Sequence, residues 1–432
     1  MLGHAAMNQR TASRANNENG HDNRYFDFYQ RYVDEAAFLW LLRSVAIHQP
    51  HYNKDDIAEL EARIQAQLDG LMSSIDHGWQ ACEAALAIEE SGEIFTAAVT
   101  AFRSHEVKKI KQVVEAALVN DQATCGLVSA LGWISPALAT PWIEKLLISK
   151  ELNHKYLGLA ACSVRRLDPG DDLAKILARD DCQKQTTLYL RALRLVGELR
   201  RQDLMPELIK AMKSDNPAIL FWSSWSAILL GNRAAVSQLA PYLLKEGPYL
   251  QRAIEIVFRV LTIEQARQTI TAMAKIPSLN RAVIQASATL GDPHAVNWLI
   301  QKMRDPAVAK LAGEAFTLIT GLDLTHQGLN QARRPVGETI PSDDPSDENI
   351  AMDEDENLPW PDADKVTQCW QQHGRHFIIG QRYFMGQAIS SDWLLKQLEH
   401  TRQRQRHAAA LELALIDPSH PLYNTQGRVE IQ

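Results

Sequence analysis

Apolar runs through the middle of the chain end at a recurring mark: Leu131-Gly132, Leu167-Asp168, Val196-Gly197, Leu230-Gly231, Leu261-Thr262, Leu290-Gly291 and Thr320-Gly321. The marks lie 36, 29, 34, 31, 29 and 30 residues apart. Between marks one grammar repeats: a helix with a single apolar face, a short polar turn, then a helix apolar over more of its circumference. DLMPELIKAM at 203–212, KSDNP and AILFWSSWSAILLG at 218–231 make one such unit, and HAVNWLIQKM at 294–303, RDP and AVAKLAGEAFTLITG make another. Leu204, Leu208, Ile209 and Met212 recur at helical three-to-four spacing and define the narrow face of a first helix. Pro217 and Pro306 stand where second helices should begin, and a missing N–H costs little there. Glycine at the marks supplies the left-handed residue that ends a helix, and the serines Ser223, Ser224 and Ser226 suggest that part of 218–231 faces water.

A second helix that is apolar nearly all round must touch its own partner and both neighbouring pairs, so isolated pairs cannot satisfy it and stacked ones can. The pattern therefore predicts an all-α chain: an α-solenoid of HEAT-like helix pairs, with further pairs at 79–103, 106–131 and 136–167. Two helices at 26–47 and 54–75, separated at Pro50, are expected to cap the array. The division is a disordered polar tail at 1–24, capping helices at 25–75, a solenoid at 76–321, an acidic linker at 322–358 and a C-terminal helical docking region at 359–432. In that last region Ser391 reads as the cap of a long final helix.

Charge enters at one place. Residues 337–364 hold eleven Asp or Glu and no Lys or Arg, which favours a disordered linker through self-repulsion. A calcium loop built on Asp343, Asp344, Asp347, Asp353, Asp355 and Glu356 would lack the glycine and flanking helices of an EF-hand. A third reading folds the segment back on Arg165, Arg166, Arg191, Arg194, Arg200, Arg201 and Arg259, most of them on second helices. Arg165, Arg194 and Arg259 each precede their mark by a similar step and would form a broken positive ridge beside Trp222 and Trp225. These five residues are the expected partner-binding set, with packing in the core as the alternative for the Phe221, Trp222 and Trp225 rings.

Little points to chemistry. The five cysteines, Cys82, Cys125, Cys162, Cys182 and Cys369, lack metal-site spacing and read as buried free thiols. His373 and His376 have no third ligand, His77 and His154 stand alone, and no nucleophile elbow or phosphate loop occurs. No catalytic, cofactor or metal residue is assigned. A formal charge of -7 disfavours a whole-surface nucleic-acid role, and no apolar run reaches the length of a membrane span. With no secretory leader apparent, a cytoplasmic protein is expected. A competing reading is a base-excision enzyme that cradles nucleic acid, for which Glu198 or Asp203 would supply the carboxylate.

The stretches DEAAFLWLLR at 34–43, LPWPDADKV at 358–366, GQRYFMGQ at 380–387, RQRQRHAAALELAL at 402–415 and PLYNT at 421–425 resemble those of a bacterial family of HEAT-repeat-like proteins associated with type VI secretion gene neighbourhoods. The resemblance spans about 30 to 425 and lends no catalytic residue. It implies a non-enzymatic scaffold or adaptor whose partner is another bacterial protein, such as a secretion component or effector. The GQRY segment and the start of the last helix would form a docking surface.

Overall fold

Helix after helix follows the predicted alternation in a computed structural model that describes residues 3–331, 354–417 and 421–431, without the side chains of 3–24 and 431. Residues 3–24, expected as a disordered polar tail, form the start of the first helix, and most of the acidic linker lies outside the residues so described. The chain is all-α but for one hairpin among the described residues, and none of their helices is long and apolar enough to cross a membrane. It divides into two units: Met1–Ile47, Asp55–Arg191 and Gln426–Gln432 form the first, and His48–Lys54 with Ala192–Thr425 form the second.

In the first unit α1 (Gly3–Ala46) runs unbroken, and α2 (Lys54–Met72) and α3 (Ile75–Ala85) follow. Three pairs come next: α4 (Ser91–Ser104) and α5 (Val107–Ala117), α6 (Asp121–Trp133) and α7 (Pro136–Ile148), then α8 (Leu152–Arg165) and α9 (Asp171–Ala178), followed by the short α10 (Asp180–Lys184). The apolar helices α1, α4, α6 and α8 lie in a row, each against the next. Small residues permit this approach: a Cβ on Gly92 would sit 2.7 Å from the Ala37 carbonyl, and one on Gly126 would sit 2.2 Å from that of Ser91. Trp40 stacks on Phe95 at 5.6 Å, and Trp133 meets the edge of the same ring at 5.3 Å. The buried Arg43–Glu61 pair at 2.7 Å ties the C-terminal segment to this core, since Arg43 donates to the Gln426 and Gly427 carbonyls and Glu61 accepts from the Val429 amide.

Helix α11 (Thr186–Glu198) crosses the division, with residues 192–198 in the second unit. There the first helices α12 (Met205–Ala211), α14 (Val236–Leu239), α16 (Ile263–Met273) and α18 (Val296–Lys302) alternate with the second helices α13 (Pro217–Leu229), α15 (Leu250–Val260), α17 (Asn280–Leu290) and α19 (Ala309–Thr320). The second helices pack on one another in chain order. Pro217 is the first residue of α13, capped by Asn216, whereas Pro306 stands three residues ahead of α19. Gly231, Gly291 and Gly321 do adopt positive φ; Gly132 and Gly197 instead lie inside α6 and α11, and Arg166 and Arg200 take the left-handed turn. Gly197 is needed for another reason: a Cβ there would meet Ser226 at 2.7 Å.

That contact corrects the reading of the α13 serines. Ser223, Ser224 and Ser226 are all fully buried, not water-facing. Ser226 donates to the Leu193 carbonyl at 2.7 Å and Ser223 to that of Ile219 at 2.7 Å, so these two small hydroxyls are satisfied in the interior, whereas the Ser224 hydroxyl is buried without a hydrogen-bond partner. After the acidic segment come α20 (Ala363–His373), the antiparallel strands β1 (Tyr383–Phe384) and β2 (Gln387–Ala388), then α21 (Ser391–His400) and α22 (Gln403–Ile416). The cap of α21 is Ser390, accepting from the Trp393 amide, rather than Ser391, which is the first helical residue.

Candidate binding surface

Arg165 belongs to the first unit, and Arg194, Trp222, Trp225 and Arg259 to the second. Arg165 donates to the Leu131 and Ile134 carbonyls, both at 2.9 Å, which uses its guanidinium to tie the ends of α6 and α8. Burial lowers its pKa from the ordinary arginine value. Arg259 is buried within 3.2 Å of Glu412, and Arg200 donates to the Leu229 and Ala414 carbonyls. Arg201 pairs with the exposed Asp203 at 2.7 Å, and Arg166 bonds the Ser163 carbonyl of its own helix end. Within the second unit Arg200, Arg201 and Arg259 each have separate partners. Those described here serve mostly to satisfy carbonyls and carboxylates of this chain.

The aromatic cluster is core. Phe221 is fully buried, and Trp222 and Trp225 are 9% and 7% exposed, their rings meeting edge to face at 5.5 Å. Phe221 stacks on Tyr249 at 4.4 Å, and Tyr242 donates to the Pro217 carbonyl at 2.6 Å. Trp222 nevertheless borders the surface. The Arg194 guanidinium lies 4.8 Å from its ring and the exposed Arg252 lies 5.3 Å from it. Arg194 is held by Glu198, a carboxylate only 1% exposed, at 2.7 Å.

Trp222 belongs to a series that the sequence pattern had not suggested. Trp222, Arg252, Arg281 and Lys310 recur at intervals of 30, 29 and 29 residues, one in the first half of each second helix from α13 to α19. The last two rungs are engaged by the chain itself. Asp355, 5% exposed, pairs with Arg281 at 2.6 Å, and Glu354 lies 3.8 Å from the same guanidinium. Lys310 places its ammonium 4.9 Å from the Trp360 ring. The stretch is held in place because Trp360 and Leu329 offer carbonyls to the Gln331 and Asp362 amides. Its carboxylates therefore come to rest on a second helix, at an arginine that reasoning from the turn marks had passed over.

Beside Arg281, Arg404 at the start of α22 donates to Glu314 at 3.1 Å, to the Glu354 carbonyl at 2.7 Å and to the His48 carbonyl at 3.0 Å. Burial raises the Glu314 pKa above its ordinary value, with Arg404 opposing. His48 is pushed the other way, chiefly by burial and then by the positive charges of Arg252 and Arg404.

The C-terminal halves of the second helices are covered. The Tyr383 amide donates to the Gly291 carbonyl at 2.8 Å, and the Met385 and Gly386 amides donate to the Leu318 and Ile319 carbonyls. Arg382 grips Glu412 with two bonds, 2.9 and 2.7 Å, and also reaches the Arg259 carbonyl at 3.0 Å and that of Leu290 at 2.9 Å. Glu412, 2% exposed, thus sits between two arginines. The GQRY segment packs on this chain's own helices. Asp292 plays a lesser version of the part, holding Arg267 at 2.5 Å and accepting from the Gly380 amide at 3.1 Å.

The remaining groups carry no evident chemistry. His373 and His376 direct ring nitrogens to the Cys369 and His373 carbonyls, and no cluster of three or more His, Cys, Asp or Glu among the described residues is placed for a metal ion. Cys82, Cys162 and Cys182 are buried as expected, Cys369 is half-buried, and Cys125 is exposed, since it faces away from the α4–α6 seam that Gly126 occupies. Comparison with protein-family models, with curated proteins and with solved structures finds no match.

Proposed function

We propose that the helix pairs of the second unit form a HEAT-like α-solenoid, and that the chain is a non-enzymatic scaffold holding another protein along the first halves of α13 and α15. The observation that carries this reading is Asp355 seated on Arg281, in register with Arg252 and Trp222. A surface that already accommodates one polypeptide stretch through a periodic series of cations and rings has the means to hold a second, and repeat arrays commonly bind along such rows. The carboxylates required by a base-excision reading are committed elsewhere, Glu198 to Arg194 and Asp203 to Arg201. The resemblance noted above implies a partner from bacterial secretion, a component or an effector.

A photo-crosslinking residue at position 252 tests the reading, with an identical residue at the exposed Glu264 as control. Defined proteins should crosslink at 252 in native lysate and not at 264. Equal labelling at both positions, or none at either, overturns the proposal.

A further inference from the structure

The ligand of this surface has a definable chemistry, and the inference rests on the scaffold reading just given. From residue 360 back to 355 the chain steps from Lys310 on α19 to Arg281 on α17, which sets the direction of this described stretch along the row, from α19 toward the earlier second helices. The next two rungs in that direction are the exposed Arg252 and the Trp222 ring, with Arg194 stacked on that ring. Neighbouring packed helices are separated by about 10 Å, which an extended peptide crosses in about three residues. We infer that Arg252, Trp222 and Arg194 form a docking site for an extended acidic peptide of a partner protein, lying along the row with the polarity of residues 354–360.

Charge complementarity supports this occupant. Asp355, Glu354 and Glu314 each lie against an arginine, Arg281 or Arg404, and Glu198 is held by Arg194. Glu255 lies one turn beyond Arg252 and accepts from Gln251 at 3.2 Å. An acidic ligand can thus repeat at Arg252 the pairing that Asp355 makes at Arg281, while its apolar or peptide groups cover the Trp222 edge. A basic or neutral peptide would gain neither.

The test uses the full chain and a fluorescein-labelled peptide of ten glutamates, about long enough to span three rungs, read by anisotropy at about 20 mM salt. Binding is expected, weakened at least tenfold by Arg252→Glu, and strengthened severalfold by Asp355→Ala, which frees Arg281. Thermal melting of each variant checks that folding is retained; if Arg252→Glu melts early, Arg252→Gln replaces it with the same expected direction. Three results overturn the inference: no binding at low salt, equal binding of a ten-residue thymidylate, or binding only after deletion of 338–353, which would assign the rungs to the chain's own acidic stretch. None of these removes crosslinking at 252, so the scaffold reading stands or falls separately.

Discussion

Replacing Glu412 by alanine leaves two guanidinium groups facing each other with their shared carboxylate gone. In the native structure Arg382 grips that carboxylate through both of its oxygens at 2.9 and 2.7 Å, while Arg259 approaches at 3.2 Å from a site where burial lowers its own pKa. Breaking a buried pair from one side costs about 3–5 kcal/mol, because the remaining charge stays desolvated. Arg382 retains carbonyl acceptors on Arg259 and Leu290, so Glu412→Gln, which keeps an acceptor in place, should cost less, about 1–3 kcal/mol. The two-unit chain makes a single unfolding free energy ill-defined, so amide hydrogen exchange is the suitable assay. In Glu412→Ala the α22 amides and those of Tyr383 and Met385 should exchange faster by about two to nearly four decades, at 1.4 kcal/mol per decade, while those of α4 and α6 keep their wild-type rates. Acceleration of less than tenfold, or equal acceleration in α4, would refute the claim that this carboxylate holds the C-terminal segment on its helices.

Burial raises the Cys82 and Cys162 thiols to about 12, so both stay protonated well above neutral pH. Iodoacetamide at about pH 8 should therefore modify the exposed Cys125 first and leave these two untouched, and mass spectrometry showing them labelled at comparable rates would contradict their burial. Gly291 has φ +74°, and a Cβ would stand 2.2 Å from the Tyr383 carbonyl oxygen. Gly291→Ala should cost about 2–4 kcal/mol from the left-handed strain and the displaced hairpin together, seen as earlier melting and faster exchange at Tyr383.

What could be read in advance was whatever repeats locally. Pairs such as α12 with α13 and α18 with α19 were legible because each carries its own periodicity, turn and closing mark within about 30 residues. Residues whose role depends on distant partners were not. Glu412 stands in AAALELALI, where a lone carboxylate on an alanine-rich helix looks solvated, and its partners Arg382 and Arg259 share no local pattern with it. The α13 serines misled because a hydroxyl that bonds backward to its own helix, as Ser223 does to Ile219, is as content inside as outside. The Trp222 to Lys310 series was present in the numbering but invisible to reasoning from the glycine marks, since it lies near the opposite ends of the helices.

Residues 48–53, which join α1 to α2, and Lys54, the first residue of α2, belong to the second unit although the rest of both helices is in the first; there Tyr52 accepts from the Gln403 amide and Lys54 meets Glu399. The polypeptide accordingly passes between units four times, at 47–48, 54–55, 191–192 and 425–426. No single cut by a protease can release either half, and a gene fragment starting at residue 192 would be born without the loop against which the last helix begins. Dissection of this protein therefore calls for co-expressed or circularly rearranged pieces.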